Sequence, residues 1–479
     1  MAADKLLQES EPTAVLAATA VLSDLWHLGG LDPAALVHAA LSGAEPMLPS
    51  SFAVGTAAQA SIAAAALAAA EMRHQRGQAR QAVAVDMREA ALECSAWFSL
   101  DGVVPAAWDK FSGLYACGPE GRAGWVRIHS NFRHHREGIL RLLGCPAEEL
   151  AQRADVEAAL QSWTAKDFEE AAAKAGMVVA AVRSFGEWDD HPQGKAVAGL
   201  PLISFERIGD APPRALAPLT TRDRPLHGVR VLDLTRVLAG PVAGRTLAAY
   251  GADVMLVNAP YLPNIDSIAE TSRGKLSAHV DLRSPAGKAE LAQLVRGCNV
   301  FVQGYRPGAL TGLGFAPQDT AHLCPGIVHV SLSAYGDTGP WSTRRGFDSM
   351  VQTSTGFNLA EAAAARTAEP KALPVQILDY ASGFLMAFAA QAALLRQMRE
   401  GGSWHVRVAL ARTGLWLRSL GRLPEGMRTT RPSLDAMKES STSGFGQLVA
   451  MRHAARLADT PAAWLRPSMP PGSHPPQWP

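Results

Sequence analysis

One carboxylate is set apart by its surroundings. After Asp379 no charged residue appears until Arg396, and the run between them is rich in Ala, Leu, Met and Phe. Such a run reads as a helix buried on most sides. Gly401 and Gly402 read as its stop. Asp379 therefore stands at a helix start, where two roles fit. As an N-cap it would accept a bond from an unpaired first-turn amide. As a carboxylate kept ionised by the helix N-terminus it would be a nucleophile. A second cluster, His129, His134 and His135, has the residue type for metal binding. Metal ligation would want acids or cysteines beside it, and Arg133 and Arg136 intervene. The trio reads as a solvated basic face, and no metal is expected.

The elements that position Asp379 follow in chain order. Residues 22–72 carry Ala-rich helical patterns, and the uncharged run 52–70 reads as a packed helix rather than a membrane span. A basic turn and the alternating AVAV follow. The same order recurs at one constant spacing, which sets Arg73 on Arg396, Arg76 on Arg399, Val83 on Val406 and Val85 on Val408. We read this as an internal repeat. The spacing also sets Thr56 on Asp379, and no acid occurs from 48 to 70. Carboxylate chemistry is thus expected in the second copy alone.

Between 100 and 206 the pattern changes to short strands, LYAC and WVRIH, flanked by Asp101–Gly102 and by Gly118, Gly121 and Gly124, then to helices at 136–143 and 165–175. This predicts a small α+β domain with a return segment. Residues 207–225 are Pro-rich and charged, and read as a linker. From 226 onward strands VRVLDL and ADVMLV flank a helix opened by Gly240, Pro241 and Gly244. Further helix and strand signals at 287–296, 300–303 and 327–332 predict an α/β fold with a parallel sheet. There is no G-x-G-x-x-G, so no nicotinamide cofactor is indicated. Four parts result: 1–99, 100–206, the linker 207–225, and 226–479 with a Pro-rich extended tail.

Composition narrows the partners. A net charge of +1 suggests no nucleic-acid partner. The start, MAADKLLQESEPTAV, has no apolar core of a secretory signal. Five cysteines, none spaced C-x-x-C, fit reduced thiols in a cytoplasmic protein.

Five stretches in order carry a resemblance: VRVLDLTRVLAGPVAGRTLAAYGADVMLV, GKLSAHVDLRSPAGKAEL, GYRPGALTGLGF, VSLSAYGDTGPWSTRRGFDSMVQTSTG and the Asp379 helix. Together, over about 226–420, they resemble the class III CoA-transferases, the formyl-CoA transferase and carnitine CoA-transferase group. The first half resembles a later portion of that family, so the chain looks like a member fused out of the usual order. The resemblance implies a Rossmann-like large domain and a small domain in an interlocked homodimer. It implies coenzyme A or acyl-CoA as substrate, exchanged with a carboxylic acid through an aspartyl anhydride and thioester, without metal. Asp379 falls on the family's catalytic aspartate. Leu238 and Ala239 fall on a first CoA-contacting loop. Ser272, Arg273, Gly274 and Lys275 fall on a second, and Gly304, Tyr305 and Arg306 on a third. Arg345 falls on a position that is often basic.

The chain also departs from the pattern. Asn258 and Ala259 stand where an acid and a basic or polar residue are common, and a Gly-rich loop that covers the aspartate has no counterpart. A related racemase branch has a catalytic His where this chain has Phe347. A phenyl ring cannot take an α-proton, which argues against racemisation. The rival from another class is a CoA-binding scaffold without catalysis.

Overall fold

A computed structural model describes residues 14–119 and 122–479. Residues 1–13, which include most of the stretch read as lacking a secretory signal, and Gly121 of the glycine cluster lie outside the described residues.

In the first quarter, helix α1 (Ala18–Gly29) leads to strand β1 (Ala39–Ser42), helix α2 (Val54–Gln75), strand β2 (Val83–Asp86), helix α3 (Met87–Glu93) and strand β3 (Phe98–Leu100). The Ala-rich run gives α2 because Ala and Leu carry little entropic cost in a helix. Its N-terminal twenty residues are buried all round, as expected of a helix with no polar face. The small unit pairs β4 (Gly113–Ala116), β5 (Trp125–Ile128) and β6 (Val179–Ala181) antiparallel under helices α4 (Arg133–Leu143) and α5 (Ala165–Lys174). Phe111, Tyr115, Val126, Ile139 and Phe168 form its own core.

A seven-stranded sheet dominates the rest. Its strands are β7 (Ser204–Gly209), β8 (Arg230–Leu234), β9 (Asp253–Asn258), β10 (Lys275–His279), β11 (Val300–Gln303), β12 (Val328–Ser333) and β13 (Ser403–Ala409). The spatial order is β10-β9-β8-β11-β12-β13-β7, all parallel except β7. Helices α6 (Ala239–Ala249), α7 (Pro285–Arg296), α8 (Asp348–Ser354), α9 (Ile377–Glu400) and α10 (Leu410–Ser419) pack around it. The tail adds β14 (Lys438–Ser443), β15 (Gly446–Met451) and β16 (Ala455–Leu457).

Two boundaries differ from the sequence reading. The linker expected at 207–225 begins inside β7, which pairs antiparallel with β13 and closes that sheet edge. The part expected as 226–479 does not stand alone: β15 pairs with β3, and β16 with β2. The N-terminal elements thus share sheets with the C-terminal tail.

Helices α2 and α9 lie against each other in one hydrophobic core that draws on both ends of the chain. Gln391 Nε2 donates to Ala65 O at 3.0 Å across their contact. Both are long and apolar enough to cross a membrane, and both are wholly buried in protein over their apolar windows. The series α2–β2–α3 and α9–β13–α10 have the same order. Met87 and Leu410, which open the third element of each, keep the spacing that relates Val83 to Val406.

Candidate active site

A cavity of about 340 Å³ opens at the carboxyl ends of β8 and β11. The sheet is wound outward in both directions from this pair, and such a switch point is where open α/β sheets hold ligands. The loop after β8 supplies Arg236, Val237 and Leu238, and the loop after β11 supplies Gly304, Tyr305 and Arg306. Val237 has φ 77°, in the left-handed region that a β-branched residue avoids. Ser267 Oγ donates to Val237 O at 3.1 Å and steadies the loop. Strain of this kind, here beside a cavity, is held in place by its surroundings.

Asp379 lines the floor and is 7% exposed. It is the third residue of α9, not the cap: the N-cap position is Gln376, which makes no side-chain capping bond. The orphan first-turn amide is satisfied instead by a second acid. Asp379 N–H donates to Asp348 Oδ2 at 2.9 Å. Asp348 opens α8 and is fully buried. Burial pushes the Asp379 carboxyl well above the usual carboxylate range, and the Asp348 charge pushes it further. Burial also raises Asp348, opposed by the bonds from Asp379 N–H and Gln352 and by the charge of Arg127. Among the described residues the Asp379 carboxyl oxygens accept no hydrogen bond, so they are free to react.

The other helix start is built alike. Thr56 is the third residue of α2, and its N–H donates to Glu45 Oε1 at 2.7 Å. Burial raises Glu45 as it raises Asp348. Thr56 is 1% exposed and does not reach the cavity. Each long helix thus has a first-turn amide held by a carboxylate from the segment before it, Asp348 fully buried and Glu45 half-buried. Only α9 presents an acid to open space.

Every other charged residue lining the cavity is basic. Arg236, Arg306, Arg344 and Arg345 surround it, with His134 and His135. Arg344 lies 3.8 Å from Glu169. Among the described residues no carboxylate pairs with Arg236, Arg306 or Arg345. Arg345 Nη1 donates to Gly176 O at 3.1 Å and lies 3.3 Å from His135 Nε2. Arg236 donates to Pro263 O, and its guanidinium lies 5.2 Å over the Phe132 ring.

The histidines require a correction. His134 is exposed, but His129 and His135 are buried and do not form a solvated face. The reason is that the end of β5 and the start of α4 fold down onto Phe347. His129 stacks on that ring at 4.0 Å. Burial, with neighbouring positive charge, lowers both His129 and His135 to about 3, so both imidazoles are neutral.

Of the residues expected to meet the ligand, Leu238, Ala239, Gly304, Tyr305, Arg306, Arg345 and Asp379 share the cavity. Ser272, Arg273, Gly274 and Lys275 do not line it. Ser272 Oγ bonds Ile268 O and Ser468 Oγ, each at 2.6 Å. Arg273 donates to Glu439 at 2.8 Å and to Met451 O at 2.9 Å, and lies 3.8 Å over the Trp464 ring. Gly274 N–H donates to Arg466 O at 3.0 Å. Lys275 Nζ is buried between Asp233 at 2.9 Å and Pro241 O at 2.8 Å. The C-terminal segment roofs this loop, and its cations are spent on internal bonds that tie β10, β8 and the start of α6 together.

Sequence reasoning missed Arg236, Asp348 and the inward turn of His135. Arg236 follows the first strand directly, in a loop already singled out for its neighbours Leu238 and Ala239. Asp348 follows Phe347 and carries no local signal, because its partner is 31 residues away.

Residues 226–433 match the family described as CoA-transferase family III. Similar relatives include a probable fatty acyl-CoA transferase of Mycobacterium tuberculosis, 34% identical over 40% of this chain and 52% of its own. A succinate–glutarate CoA-transferase of Agrobacterium fabrum is 33% identical over 40% of this chain and 52% of its own. A succinyl-CoA:glutarate CoA-transferase of Mus musculus is 35% identical over 37% of this chain and 43% of its own. The chain spans about half the length of the curated relatives it matches. The resemblance to the class III CoA-transferases therefore holds for residues 226–433.

Proposed function

We propose that the protein is a CoA-transferase that moves CoA from an acyl-CoA to a carboxylic acid through a covalent bond to Asp379. The observation that carries this reading is a single carboxyl, accepting no hydrogen bond, on the floor of a largely apolar cavity whose other charged lining residues are all basic. The Asp379 carboxylate attacks the donor thioester carbonyl. The C–S bond breaks, CoA leaves as thiolate, and a mixed anhydride forms. The thiolate then attacks the Asp379 carbonyl and releases the donor acid as carboxylate. The acceptor carboxylate attacks the resulting aspartyl thioester, giving a second anhydride and thiolate. Attack of that thiolate on the acceptor acyl carbon yields the new acyl-CoA and restores Asp379. Bonds and charges balance without a co-reactant.

The surroundings suit these steps. The apolar body of α9 keeps water from hydrolysable intermediates. The first turn of α6, whose Ala239 lines the cavity, can offer backbone amides to developing oxyanions, whereas the Leu378 and Asp379 amides of α9 are taken by Asp348. Arg306 and Arg345 stand exposed at the mouth, where the CoA phosphates would be held by charge-assisted bonds. The raised Asp379 carboxyl gains its nucleophilic form only as pH rises through its folded pKa, so turnover should fall on the acid side.

Racemisation is the weaker reading. His129 and His135 stand near Phe347, but imidazoles held at about 3 are poor bases for an α-proton. A homodimer and a cytoplasmic setting belong to the same proposal; a mass near 50.7 kDa by light scattering would count against the dimer. The function is tested by mixing acyl-CoA donors with carboxylic acids and reading new acyl-CoA species by mass spectrometry. Transfer to at least one acid is expected. CoA binding without any transfer would favour a scaffold.

A further inference from the structure

The small sheet of the first quarter is a copy of one end of the large sheet. β1 runs parallel to β2, and β16 runs antiparallel on the other side of β2. β12, β13 and β7 stand in the same order with the same directions. The registers agree as well. Leu41 faces Val85 as Leu332 faces Val408, and Leu457 faces Val83 as Phe205 faces Val406. The residues of the two leading strands match too, VHAALS at 37–42 and VHVSLS at 328–333. What differs is the next neighbour. The far edge of β12 is covered by β11, whereas among the described residues no strand pairs with the far edge of β1. Val328 pairs with Val300 of β11 and is fully buried, while its counterpart Val37 is 83% exposed.

An open strand edge is a template for another chain, and proteins that keep one open guard it with charge, proline or a bulge. β1 (AALS) has no charge and no proline, and its ladder with β2 is regular. Every exposed residue from Pro33 to Ala44 is uncharged. Such a face matches the charge-poor centre of an interface between proteins. A second copy of the chain can meet it across a two-fold axis without setting like charges against each other.

We propose that β1 is a dimer edge: two copies of this chain pair their β1 strands antiparallel across a two-fold axis, joining two three-stranded sheets into one continuous sheet. This deepens the homodimer reading given above and does not depend on the transferase chemistry. The partner's strand fills the place that β11 fills beside β12, and Val37 is covered in the same contact.

The test is light scattering of the full-length protein over a dilution series, beside Val37→Lys and Ala40→Lys. The native protein should show a mass near twice 50.7 kDa. Each lysine brings two like charges together across the axis and should weaken the dimer tenfold or more. Circular dichroism should be unchanged, because both positions are exposed. Hydrogen exchange reads the same contact without a variant. Amides within 39–42 should lose protection over the dilution range in which the mass halves. A native mass of 50.7 kDa would overturn the proposal and the homodimer reading with it, and would leave the transferase reading untouched. A dimer that neither lysine weakens would overturn the β1 edge alone, with the copies then meeting elsewhere. Exchange at 39–42 that stays constant while the mass halves would also overturn it.

Discussion

The Asp379 carboxyl sits where charge is expensive. Its carboxyl is raised by burial and by Asp348, so in the pH range between its unfolded and folded pKa the folded state binds more protons than the unfolded one. Stability therefore falls as pH rises through that range. Asp379→Asn removes the titrating group and nearly keeps its shape. It should raise unfolding free energy at neutral pH, because it removes a carboxyl that folding holds above its ordinary pKa. The gain should fade as pH falls below the ordinary carboxylate range, where both states are protonated. Urea unfolding at pH 7.5 and pH 3.5 checks this. A variant less stable than the native protein at pH 7.5 would mean the carboxylate is a structural asset. Asp379 was legible in the sequence because an apolar run isolates it. Its role as third helical residue was not, because the capping acid comes from another element.

The long helices were legible because their patterns are long. α2 and α9 are each more than twenty residues of low-cost helix formers, and no tertiary contact was needed to find them. β1, β3 and β16 are three or four residues each, too short for alternation to show. One glycine shows how closely the helices meet. Gly383 on α9 faces the start of α6, and a Cβ there would lie 2.5 Å from Ala239 O and 2.8 Å from Val242 Cβ. Gly383→Ala must push α6 away from α9. Overpacking of this kind costs about 1–3 kcal/mol. It also moves Leu238 and Ala239 relative to Asp379, one turn earlier on the same helix. Turnover should fall more than tenfold while the protein stays folded by circular dichroism. Full activity would show that the α6–α9 spacing does not set the site.

At the scale of the whole molecule, the sequence divided the chain where composition changes, and the fold ignores part of that division. The Pro-rich stretch does lack regular structure after Gly209, but β7 before it is an edge of the main sheet. The tail strands are polar (KESSTS) or short (ARL), and they become strands only by pairing, β14 with β15, β15 with β3 and β16 with β2. The β14–β15 pairing is a local hairpin, but the partners of β15 and β16 in β3 and β2 lie hundreds of residues away and leave no local trace. The cavity is divided in the same way: Phe132, His134 and His135 come from the small unit and the rest from the sheet. Residues 226–479 alone would bare the α2-facing side of α9 and lose those three wall residues. That fragment should be inactive and should aggregate or bind a hydrophobic dye strongly. A soluble, active fragment would contradict the interdependence.

The central claim is a covalent bond on Asp379, and it can be read directly. The full-length protein is incubated with an acyl-CoA it turns over, trapped with hydroxylamine, digested and mapped by mass spectrometry. The account predicts a hydroxamate on the peptide containing Asp379, absent without acyl-CoA and absent in Asp379→Asn, with Thr56 unmodified. A modification on another residue, or normal turnover by Asp379→Asn, would contradict it.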